Sequence, residues 1–97
     1  MSNKKKAVRA AFRATVFGRD NHKCVICGWN KWLDLLDAHH ITNRNDMPNG
    51  GYVKENGVTL CPKHHYDAET GLISAEMLYQ KIGSSYEKAV KASERLS

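Results

Sequence analysis

Asn56-Gly57-Val58-Thr59-Leu60-Cys61-Pro62-Lys63-His64-His65 is the stretch on which the fold turns. Val58, Thr59 and Leu60 suit a short strand. Cys61-Pro62 then opens a helix, because proline is favoured in the first turn, where its missing N–H is no loss. Gly71 ends that helix. Cys61 and His64 stand three apart, which puts both on one face at the helix start. His65 points roughly 100° away from His64 and cannot easily join the same ion. Upstream, Cys24-Val25-Ile26-Cys27-Gly28 has the shape of a knuckle, a tight turn that aims two thiolates at one metal. Cys24, Cys27, Cys61 and His64 together supply three sulfurs and one nitrogen, the closed tetrahedral donor set of a structural zinc. In small zinc peptides such binding reaches about 10–16 kcal/mol in apparent terms. That exceeds the net stability of most domains.

Further out lies a second histidine pair, His39-His40, at the end of Leu33–Ile41, a stretch that reads as the first strand although its pattern fits helix or strand until the histidines. Neighbours on a strand face opposite ways. One of the pair can therefore ligate a second metal beside His65 while the other faces the reacting centre. Glu69, one turn beyond His65, lies on the same helix face and would complete that ligand set; Asp67 lies off it. Residues 42–56 form a polar, glycine-containing loop of a length that is usually functional or disordered. Trp29 and Trp32 are expected to cover the knuckle. Residues 4–17 read as an amphipathic helix stopped by Gly18. Ser74 is expected to cap a helix over residues 74–82. Ser84 and Glu87 form a capping box that starts a last, basic helix. The expectation is a single domain over residues 1–97.

The chain has 97 residues, 15 Lys+Arg against 10 Asp+Glu, and a net charge of +5. A chain this short often needs a staple. Its three cysteines are an odd count that cannot close into a full disulfide set. No apolar leader follows the basic N-terminus, and no segment is long and apolar enough for a bilayer. The expectation is a protein of the reducing cytoplasm, in a bacterium or an infected host cell, with no membrane partner. The basic balance fits a polyanion such as DNA. Lys4, Lys5, Lys6, Arg9, Arg13, Arg44, Lys54 and Lys63 are the candidate phosphate contacts.

The composite pattern Cys24-x-x-Cys27, Ala38-His39-His40-Ile41, Asn56 to Cys61 and His64-His65 resembles the HNH endonucleases, above all their small stand-alone forms in phages and mobile elements. The resemblance covers a core of about residues 19–70, from Arg19-Asp20-Asn21-His22-Lys23-Cys24 onward. It implies a small α+β fold, a ββα-metal core with a zinc knuckle, flanked by an N-terminal helix and C-terminal helices. It implies His39 and His65 as ligands of one catalytic divalent ion such as Mg2+, Mn2+ or Ni2+, and His40 as the general base. It implies that Asn56 pins the loop between the strands. The family usually has cysteine where His64 stands, and some relatives carry histidine at the position of Glu69. A carboxylate there suits magnesium or manganese better than a third imidazole.

The implied activity is DNA phosphodiester hydrolysis to 5′-phosphate and 3′-hydroxyl ends; little in the sequence resembles a base-reading module, so weak sequence preference is expected. A non-catalytic zinc module that binds DNA or protein shares the cysteines and the charge. It gives no reason for His39, His40, Asn56 and His65 to coexist. An accessory nuclease of a phage DNA-packaging machine, with terminase or portal as partners, is also compatible with the sequence.

Overall fold

The structure, a computed structural model, describes residues 2–96. Its centre is a two-stranded antiparallel hairpin, β1 (Asp37–His40) and β2 (Gly57–Leu60). The register pairs Asp37 with Leu60, Ala38 with Thr59, His39 with Val58 and His40 with Gly57. Side chains alternate across a strand. Asp37, His39, Val58 and Leu60 thus share one face, and Ala38, His40, Gly57 and Thr59 the other. Helix α1 (Ser2–Arg19) packs on the second face through Phe12 and Val16, which bury Ala38 between them. Helix α2 (Pro62–Glu69) follows β2 directly, with Cys61 as its extended N-cap and Pro62 in its first turn. The expected small α+β fold with a ββα core is the fold observed. Helices α3 (Ala75–Lys81) and α4 (Tyr86–Glu94) complete the chain. They add Leu78, Tyr79 and Ala89 to a core built on Leu36, Ile41, Met47, Val58 and Leu60.

One glycine permits the α1 contact. A Cβ on Gly57 would stand 2.4 Å from Val16 Cγ2 and 2.7 Å from Phe12 Cζ. Real side chains never approach so closely, so the helix can lie flat on the hairpin only where β2 begins with glycine. Arg19 fastens the same contact. Its guanidinium donates to the carbonyls of Lys54 (2.6 Å) and Gly57 (2.7 Å) and grips Asp20, whose carboxylate accepts from the Thr59 backbone N–H at 2.9 Å.

Four local expectations need correction. Gly18 does not stop α1, which continues to Arg19. A glycine permits a left-handed turn without imposing one, and here the left-handed residues are Asn21 (φ 57°) and His22 (φ 55°). The first strand is shorter than residues 33–41, because Leu33–Leu35 form a 3-10 turn and only Asp37–His40 pair. Ser84 is not the cap of α4. Its hydroxyl is committed to the Glu55 carbonyl at 2.9 Å, and Ser85 accepts from the Lys88 N–H instead. Of the two tryptophans, Trp29 packs on the core, whereas Trp32 is 61% exposed and covers nothing. Ser74 caps α3 as expected, accepting from the Met77 N–H.

The loop of residues 42–56 is ordered as three short 3-10 turns, Arg44–Asp46, Pro48–Gly51 and Lys54–Asn56. Asn49 takes a left-handed conformation (φ 54°), which asparagine tolerates. Its amide donates to the carbonyls of Ser93 and Leu96, tying the loop to the end of α4.

Candidate metal centres and catalytic cavity

The knuckle brings together donors from three places. Cys24 and Cys27 come from the turn after α1, Cys61 from the end of β2, and His64 from the first turn of α2. A hydrogen bond from the Val25 N–H to the Thr59 carbonyl (3.1 Å) holds the turn against β2. All four donor atoms lie within 4.8 Å of one another. His64 Nδ1 stands 3.6 Å from Cys24 Sγ and 3.3 Å from Cys61 Sγ, and Cys27 Sγ stands 3.8 Å from Cys61 Sγ. Tetrahedral zinc with bonds of about 2.3 Å to sulfur and about 2.0 Å to nitrogen has edges of roughly 3.5–3.8 Å. Those three contacts stand close to such edges. Burial pushes the Cys24 thiol up, but hydrogen bonds from the backbone of Cys61, Cys27 and Ile26 outweigh it and hold the thiol below its ordinary value. Burial comes first in raising Cys27. Cys24, Cys27, Cys61 and His64 form a group that can hold a metal ion, and the donor set suits zinc.

His65 turns the other way. Its ring lies 5.2 Å from that of His39, centroid to centroid. Its Nε2 lies 3.3 Å from Glu69 Oε1 and 3.2 Å from Asp37 Oδ2. Asp37 was missed in the sequence, although alternation along β1 puts it beside His39 on the face toward α2. Among the described residues only the Cys3His group closes with all donors mutually within 4.8 Å. The His39, His65, Glu69 and Asp37 set is by contrast open. Burial first, and then the charge of His65, lowers the His39 pKa, which keeps its ring neutral and able to coordinate.

His40 lies on the opposite face of β1, yet its strand-end position lets it share a cavity of about 490 Å³ with Asp37, His39, Arg44, His65 and Glu69. Phe12 stacks on its ring at 4.4 Å, and Tyr52 stands perpendicular to it at 4.8 Å. Its Nε2 is buried without a hydrogen-bond partner, which leaves Nδ1 as the nitrogen open to the cavity. Burial, then the charges of Arg44 and His39, lower its pKa to about 4.

Asn56 is fully buried. Its Oδ1 accepts from the Thr42 N–H (3.0 Å) and from the Tyr79 hydroxyl (2.7 Å). Its Nδ2 donates to the carbonyls of Thr42 (3.0 Å) and Gly51 (3.3 Å). These bonds tie the segment just after β1 to the end of the loop and to α3. Tyr79 was not foreseen, since nothing local marks a tyrosine twenty-three residues downstream as a partner of Asn56.

The eight cations separate. Lys4, Lys5, Arg9 and Arg44 line a groove between α1 and the loop. Arg13 sits over the Phe17 ring and pairs with Asp37 at 3.6 Å. Lys63 pairs with Asp67 at 3.1 Å. Lys6 and Lys54 are exposed, and neither lines the groove or the cavity.

The comparisons agree with this geometry. The chain belongs to the HNH endonuclease family, whose model matches residues 24–74. That stretch runs from the first knuckle cysteine to the cap of α3. Comparison with curated proteins and with solved structures finds no match. No helix among the described residues is long and apolar enough to cross a membrane.

Proposed function

We propose that the protein is a metal-dependent DNA endonuclease that hydrolyses phosphodiester bonds to 5′-phosphate and 3′-hydroxyl ends. One observation carries the reading: His39, His40, His65 and Glu69 line a single open cavity, at the end of a hairpin whose loop is tied down by a buried asparagine. A plain zinc-binding module has no use for that cavity.

His40 is the general base. A neutral imidazole can take a proton from water at pH 7, and the low pKa of His40 keeps it neutral. Nδ1 would receive the proton, so Nε2 carries the ring hydrogen. That N–H is buried and meets no hydrogen-bond acceptor, in a ring that Phe12 stacks on and Tyr52 stands perpendicular to. His39 and His65, with Glu69 beside them, would hold the divalent ion. Two imidazoles and a carboxylate suit Mg2+, Mn2+ or Ni2+, and the open arrangement leaves room for phosphate and water. When bound, the ion supplies Lewis-acid neutralisation of the scissile phosphate and the leaving oxygen. Asn56 positions His40 by fixing the backbone two residues beyond it. Arg44, on the cavity rim, faces the phosphate.

Plasmid nicking tests the reading. Wild type should convert supercoiled DNA with at least one of magnesium, manganese or nickel, and His40→Ala should not. Equal inertness of both chains with every metal would sink it.

A further inference from the structure

Beside the cavity lies a smaller passage lined by Arg9, Phe12, Arg13, Ala38, His40, Arg44 and Tyr52, which shares His40 and Arg44 with it. The passage shares Arg9, Arg44 and Tyr52 with a groove of about 580 Å³ between α1 and the loop, lined also by Lys4, Lys5, Val8 and Asn49. Arg44 borders all three spaces, and its Nη1 donates to the Tyr52 hydroxyl at 2.9 Å. Among the described residues no acidic side chain lines the groove or the passage. The floor is apolar, made of Val8 and the Tyr52 ring, and the cations form the rim.

That pairing of floor and rim discriminates between partners. A duplex presents phosphates and sugars outward and keeps its base faces stacked inside, so an apolar floor adds nothing to its binding. An unpaired nucleotide offers both a phosphate for the rim and a bare base face for the floor. The volume falls in the range of sites that enclose a small organic ligand. We infer that this groove seats an unpaired nucleotide of the substrate strand next to the scissile bond. Lys4, Lys5 and Arg9 hold its phosphates, and Val8 and Tyr52 take its base. The enzyme then favours DNA with a single-stranded segment beside the cut over a continuous duplex. This rests on the nuclease reading above for the direction of the strand. The α1 side of the groove, Lys4, Lys5, Val8 and Arg9, lies outside the stretch that matches the family, and Arg44, Asn49 and Tyr52 lie within it.

Binding tests it without catalysis. Zinc-loaded wild type, with no other divalent cation added, is titrated by fluorescence anisotropy into a labelled blunt duplex and into the same duplex with a single-stranded extension. The extended substrate should bind roughly tenfold more tightly. Val8→Asp should bring the two within about twofold. Val8 is 39% exposed, so the variant should keep its zinc and its circular dichroism; Val8→Ser gives the same readout if it does not. The triple variant K4Q/K5Q/R9Q should flatten the salt dependence for the extended substrate by about 2 in slope, at about 0.7 per lost phosphate contact. Equal affinity of wild type for both substrates overturns the proposal, as does a preference that survives the Val8 variants. The failures are distinguishable. If the same preparation nicks plasmid but shows no preference, only the groove assignment falls. If preference is seen without cleavage under any metal, the nuclease reading falls and the groove stands.

Discussion

His64 and His65 are neighbours on one helical turn and belong to two opposite kinds of site. His64 reaches a group of sulfurs whose donor atoms and its own all lie within 4.8 Å of one another. His65 faces an open cavity where imidazoles and carboxylates approach in pairs without closing. The divergence of adjacent residues on a helix is enough to produce this split. A closed donor set spends its coordination on the protein and serves the fold. An open one leaves positions for water and substrate. A change at the first site should therefore act on folding, and a change at the second on chemistry alone.

The sharpest way to break this contrast is at Cys61. Cys61→Ser, or a strong chelator, should remove the metal and unfold the chain. The loss is on the order of the 10 kcal/mol typical of small zinc sites, more than a domain of this size holds in reserve. Elemental analysis and circular dichroism read it, and a folded, metal-free wild type would dissolve the distinction. On the open side, His40→Ala and His65→Ala should both retain zinc and fold while cleavage falls, by about 10²–10⁴ for the base. They should differ in one respect: Mn2+ binding, followed by electron paramagnetic resonance, survives in His40→Ala and is lost in His65→Ala. Full activity in His65→Ala would refute the ligand assignment.

Asn56 should fall between the two classes. Asn56→Ala leaves the Thr42 N–H and the carbonyls of Thr42 and Gly51 without partners, which costs about 2–4 kcal/mol. Tyr79→Phe removes one bond to the same oxygen and the hydroxyl's bond with Thr42 Oγ1 (2.6 Å), and should cost about 1–2 kcal/mol. Urea denaturation measures both. An Asn56→Ala chain as stable as wild type would show that the loop is held by other means.

The smallest effect expected is with pH. His40 titrates near 4, below its ordinary value, because burial and then the charges of Arg44 and His39 disfavour the imidazolium. As the proposed base it would act in its neutral form, so at saturating metal the rate should be flat from about pH 7.5 down to about pH 5.5. In the unfolded chain the same ring takes a proton below about pH 6.5. Stability from this group is thus constant above that value and declines as pH falls toward 4. A nuclear magnetic resonance midpoint for His40 at or above 6.5 would contradict the burial argument.

Much of this was legible along the chain because it rests on short-range geometry. The Cys24–Cys27 knuckle, the Cys61–His64 pair, Pro62 in the first turn of α2 and the split of His64 from His65 all follow from residue spacing. So does the placement of His39 and His40 on opposite faces of a strand. Legibility failed where a side chain had two possible employers. Ser84 looked like a cap but bonds to the Glu55 carbonyl, and Gly18 looked like a stop but lies in unbroken helix. Trp32 looked like a lid but faces solvent.

The sequence alone determined which atoms could bind metal and which neighbours must part company, since bond geometry and helical and strand periods operate over a few residues. Only the tertiary structure decided what surrounds those atoms. Phe12 stacks on His40 from twenty-eight residues away, Tyr79 completes the Asn56 network from another helix, and Asp37 joins His65 across the hairpin face. α1 lies against the hairpin because Gly57 leaves it room. Contacts of that kind depend on how whole elements pack. Packing is settled by the summed burial of many side chains, which no single spacing encodes.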